Sequence, residues 1–78
     1  MKNTYAYCEE TVNIWMKDAE NKNTDELNEE IDDVKGSISN EEIWLNGSSS
    51  HDEKRNHMQN IADLTEYLSR LENLIRTA

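Results

Sequence analysis

Cys8, His51, His57, three consecutive serines and 17 carboxylates are the side chains in this 78-residue chain that could do chemistry. Their spacing argues against most of it. His51 and His57 are six apart, so a helix would put them on different faces. Glu53 and His57 at i, i+4 would supply only two ligands, short of a zinc site. Asp25, Glu29 and Asp32 share a helical face, whereas a calcium loop alternates oxygen ligands around a glycine. No Glu-x-x-His pair occurs, so a carboxylate-bridged metal bundle is not expected. Cys8 neighbours Glu9 and Glu10, which oppose a thiolate. Its place on an apolar stripe reads as a buried structural thiol. Ser48, Ser49 and Ser50 lack the glycine elbow of a nucleophilic serine and read as loop and helix cap. No cofactor, metal or enzymatic activity is expected.

The distribution of charge is more informative. The chain carries 17 Asp and Glu against 8 Lys and Arg, a formal net charge of −9. Ten acids fall within residues 9–33, opposed only by Lys17 and Lys22. Asp25, Glu26, Glu29, Glu30, Asp32 and Asp33 then follow one another with no base among them. Like charges at i, i+4 weaken an isolated helix by roughly 0.2–0.5 kcal/mol per pair. A helix that needed only solubility would mix signs, as Asp52-Glu53-Lys54-Arg55 does. The strip therefore reads as a surface for a basic partner. Regularly spaced carboxylates can stand in for duplex phosphates. The alternative is a solvated face with no partner. The same net charge argues against direct binding of nucleic acid or an anionic membrane.

Three helical segments must position these groups. Cys8, Val12, Trp15 and Ala19 follow at steps of 4, 3 and 4, which predicts a helix over residues 4–20. Tyr5 extends that stripe, Met16 widens it, and Asn3 or Thr4 would cap it. Leu27, Ile31, Val34 and Ile38 mark a second helix from about Thr24, with Asn23 and Glu26 forming a capping box. Lys35-Gly36 and a second box at Ser39/Glu42 suggest a break near Gly36–Ser39. Leu45 still falls on the stripe, which favours a continuous or kinked helix to residue 45. Asn46 to Ser50 is the clearest loop, and Ser50 with Glu53 opens a third helix running to about residue 76. Its seam is Ile61, Leu64, Leu68, Leu71 and Ile75 at nearly heptad spacing, after Met58 and beside Tyr67 and Leu74. Trp15 is assigned to the core. Trp44 is assigned to the core edge, with an exposed interface anchor as the alternative.

The expected fold is all-α, one acidic domain over residues 1–78. It is a three-helix bundle, or a long helical hairpin plus an N-terminal helix. A chain of this length buries only about 60% of its unfolded surface. One cysteine gives no internal disulfide. Spare apolar surface on the third helix would suit a homodimer. The longest apolar run is Ile43-Trp44-Leu45, too short to span a bilayer. Met1 to Tyr5 lacks a signal-peptide core, so a cytoplasmic location is expected.

In size, charge and Asn/Lys/Glu-rich composition the chain resembles small proteins of phages and mobile elements that neutralise host defences, including anti-CRISPR proteins and DNA mimics. That resemblance implies a stoichiometric inhibitor, acting in the bacterial host's cytoplasm. Its partner would be a protein whose basic surface handles nucleic acid. The alternative expectation is a homodimer, or a small assembly or adaptor subunit. The seam would then bind, and the acids would only solubilise.

Overall fold

The structure is a computed structural model that describes residues 6–77. Three helices follow one another: α1 (Glu9–Ala19), α2 (Thr24–Gly47) and α3 (His51–Thr77). The fold is all-α, as the apolar spacing predicts. It is the hairpin version of that expectation: α2 and α3 are long, and α1 lies alongside. The molecule measures 41 × 21 × 21 Å. Its long dimension matches the roughly 40 Å that the 27 residues of α3 occupy at helical rise.

Contacts set the directions. Glu30 meets Tyr67 and Glu41 meets His57, so α2 and α3 are antiparallel. Cys8 meets Asp63 and Asn13 meets Arg70, so α1 runs parallel to α3. Both α1 and α2 pack on α3 and scarcely touch each other. Thus α3 is the spine, and the core is the seam along it. Val12 and Ala19 enter from α1, Leu27, Ile31 and Val34 from α2, Tyr67 and Leu71 from α3. Trp15, Met16, Ile38, Leu64, Leu68, Leu74 and Ile75 surround that cluster. Trp15 packs against Tyr67 with ring centroids 5.2 Å apart, a favourable tilted geometry.

Helix α1 is shorter than its apolar stripe suggests. Any cap at Asn3 or Thr4, and the contribution of Tyr5, lie outside the described residues. Within them the helix starts at Glu9, with Cys8 in extended geometry as its N-cap. Side chains of α3 hold the preceding segment out of the helix. The Cys8 N–H donates to the Asp63 carboxylate at 2.6 Å, and Gln59 donates to the Ala6 carbonyl at 3.0 Å. Glu9 and Glu10 then occupy the first turn, where the macrodipole favours acids.

Helix α2 is continuous, so the break near Gly36–Ser39 does not occur. The Asn23/Glu26 capping box forms as expected: Asn23 accepts from the Glu26 N–H at 2.9 Å, and Glu26 accepts from the Asn23 N–H at 3.0 Å. Gly36 sits exposed in mid-helix, and packing of Val34 and Ile38 on either side carries the helix through it. The loop is shorter than Asn46–Ser50. Asn46 and Gly47 stay helical, and Ser48 closes the end. Its hydroxyl donates to the Trp44 carbonyl at 2.8 Å and its N–H to the Leu45 carbonyl at 3.3 Å, satisfying carbonyls the helix leaves free.

Candidate functional site

The six acids of the strip all lie on α2, but not in one environment. At roughly 100° per residue, Asp25, Glu29, Asp32 and Asp33 fall within about a 100° arc. That arc is centred opposite the arc holding Leu27, Ile31, Val34 and Ile38. All four acids are exposed. Lys35 is the one base in α2. Glu26 belongs to the N-terminal cap. Glu30 is half-buried and accepts the Tyr67 hydroxyl at 2.7 Å. So two of the six hold the fold, and four face water.

The Tyr67–Glu30 bond has an electrostatic signature. Burial, reinforced by the hydrogen bond to the Glu30 carboxylate, raises the Tyr67 phenol above its ordinary value. Across the molecule, Arg70 ties α3 to α1. Its guanidinium donates to Glu66 at 2.8 Å, to Asn13 at 2.9 Å and to Glu9 at 3.3 Å, and it lies 5.5 Å from the centre of the Tyr7 ring. The Glu66 bond, chiefly, holds this arginine even more firmly protonated than usual.

The seam residues divide differently. Leu71 is fully buried in the intramolecular core. Leu64, Leu68 and Ile75 pack against that core and are half-buried, as is Ile61. The apolar side chains left most open lie elsewhere: Ile14 is 67% exposed, Ile43 65% and Trp44 53%. The assignment of Trp44 to the core edge is therefore corrected. The Trp44 ring lies 6.0 Å from that of His57, near the α2–α3 turn. Helix α1 starts level with Asp63 and does not reach that end, so it leaves Ile43 and Trp44 uncovered.

Two buried polar groups escaped the sequence reading. Glu41 accepts His57 Nδ1 at 2.6 Å and Asn60 at 3.3 Å, linking α2 to α3 near the turn. His57 is thus half-buried and engaged, not a free surface histidine. Asp63 accepts both the Cys8 N–H and Gln59. One sign existed in the sequence: Glu41 and Asp63 fall close to the stripe positions of their helices, where a carboxylate must find donors. Their partners come from other elements and no spacing names them.

Cys8 is exposed, which corrects the buried reading. Position explains it: as the N-cap, it precedes the first turn that packs. The polar groups of Thr11 beside the thiol lower it below the ordinary value, against the opposing charge of Asp63. Among the described residues, no group of three or more His, Cys, Asp or Glu side chains is placed to hold a metal ion. No described helix is long and apolar enough to cross a membrane.

Because α1 and α2 barely touch, an open groove of about 330 Å³ runs between them. Tyr67 and Leu64 of α3 form its floor. Ile14, Trp15 and Asp18 line one wall, and Glu30, Asp33, Val34 and Ser37 the other. Compared with known proteins, the chain matches no family, no curated protein and no solved structure.

Proposed function

We propose that the protein is a small, non-enzymatic inhibitor that docks the exposed acidic face of α2 on a basic, nucleic-acid-binding surface of a protein partner. The observation that carries this reading is the division within the strip. Asp25, Glu29, Asp32 and Asp33 are exposed on the side of α2 away from the core, with Lys35 the one base on that helix, although two other acids suffice for capping and for Tyr67. These four span about 12 Å of helix, near one charge per 3–4 Å, which is comparable to the 3.4 Å phosphate spacing of one DNA strand. A steered, salt-sensitive association follows from such a surface. On this reading the protein would act as anti-CRISPR proteins and DNA mimics of phages and mobile elements do, in a bacterial cytoplasm.

The test is a reversal of Asp25, Glu29, Asp32 and Asp33 to Lys, with inhibition of candidate nucleic-acid enzymes as readout. Glu26 and Glu30 are left intact because their loss would also disturb the fold. Inhibition should vanish while helix content and molecular mass persist.

A second reading is self-association or service as an assembly or adaptor subunit. Exposed Ile14, Ile43 and Trp44 favour it more than the Ile61–Ile75 seam does, since that seam already meets the molecule's own core. Mutating Leu68 and Leu71 to Asp would then unfold the monomer, whereas Ile43 and Trp44 to Ser would dissociate a dimer that folds.

A further inference from the structure

We propose that the groove between α1 and α2 receives one face of a cationic amphipathic helix from the partner, an inference that rests on the basic-partner reading above. Completion of the bundle is the structural argument. Helices α1 and α2 flank α3 without closing on each other, leaving the position of a fourth helix open above Tyr67 and Leu64. The floor and inner walls are apolar or aromatic, through Leu64, Tyr67, Trp15 and Val34. Ile14 stands at the lip, 67% exposed, and extends the apolar lining of the groove outward. Helix α1 is about 16 Å long, so the groove suits two or three apolar side chains at i, i+3 or i+4, and i+7.

Charge selects the occupant. The polar rim consists of Asp18, Glu30 and Asp33, with Ser37 the one neutral polar group. Asp18 pairs with Lys22 at 3.3 Å but remains 79% exposed at its side chain, and Glu30 uses one oxygen for Tyr67. Carboxylates keep further acceptor sites beyond one bond. Lysines or arginines beside the partner's apolar stripe would meet all three. A second copy of this chain would instead bring −9 against −9, with its own acids facing the rim. An anionic lipid surface is repelled by the same rim.

The experiment uses the full chain and a synthetic helical peptide. The peptide carries leucines at i, i+3, i+4 and i+7 flanked by lysines, and a scrambled peptide of equal composition is the control. The indole N–H resonances of the two tryptophans report position by NMR. Trp15 lies in the groove and Trp44 near the far turn. The patterned peptide should shift Trp15 saturably, leave Trp44 still, and bind about tenfold more weakly to Ile14→Asp, which sets a charge against the peptide's apolar stripe. Ile14 is exposed, so that variant should keep its helix content. Equal binding of the scrambled peptide, a response of Trp44 alone, or no response at all would overturn the groove assignment. Equal, salt-labile binding of both peptides would do so while leaving the acidic face of α2 as a basic-partner surface. A dimer in sedimentation that Ile14→Asp dissociates would give the groove to a second copy, and overturn the choice of partner.

Discussion

Single side chains decide where this fold departs from its apolar pattern. Cys8 lies on the stripe of Val12 and Trp15, yet Asp63 draws its backbone into the cap position and leaves the thiol in solvent. Thr11 favours the thiolate. The native protein should therefore react with a thiol reagent at neutral pH without unfolding, faster than an unstructured cysteine peptide. Thr11→Val should slow that reaction and move its pH midpoint upward; a native protein that resists modification would restore the buried reading. Tyr67 supplies an independent check. Its phenol titrates above its ordinary value of about 10 in the folded protein, because burial and Glu30 oppose ionisation. Below pH 10 both folded and unfolded chains hold the proton, and its contribution to stability is complete. Above pH 10 the unfolded chain releases it first, so stability falls as pH rises. Urea unfolding across that range should show the fall, and Tyr67→Phe should flatten it.

At the scale of elements, spacing located all three helices, and capping chemistry located the start of α2. The steps of 4, 3 and 4 through Leu27, Ile31, Val34 and Ile38 are the core face of α2 itself. What spacing could not show is how polar groups on different helices meet. Asp63, Gln59 and Arg70 act on residues more than 50 positions away, and they fix the start of α1 through tertiary contacts. Gly36 was ambiguous for a related reason. Local propensity weakens a helix there, while burial of Val34 and Ile38 sustains it, and packing outweighs propensity. A Cβ at Gly36 would meet no atom within 4 Å, and its backbone is ordinary helix. Gly36→Ala should thus stabilise the protein by about 0.5–1 kcal/mol, raising the thermal midpoint without altering binding. A loss of stability would mean that the helix needs its glycine for a bend.

The described residues form a narrow acidic rod with its core along the spine, and leave open the acidic face of α2, the groove beside it and the Ile43–Trp44 patch near the turn. The acid strip was legible from charge alone, because 17 acids against 8 bases leave long runs unpaired. The split between its structural members, Glu26 and Glu30, and its exposed members was not legible. It depends on a capping bond and on a tyrosine 37 residues away. Likewise, the α3 heptad pattern could not distinguish an intramolecular core from a dimer seam, since both bury the same positions. Fully buried Leu71 assigns at least that part of the pattern to the monomer.

The most direct measurement is affinity capture from bacterial lysate at low and high salt, comparing the native chain with the Asp25, Glu29, Asp32 and Asp33 reversal to Lys. The account predicts that the native chain retains a nucleic-acid-binding protein at low salt, releases it at high salt, and loses it entirely on reversal while remaining helical. A partner held equally at both salt concentrations, or retained by the reversed chain, would contradict it.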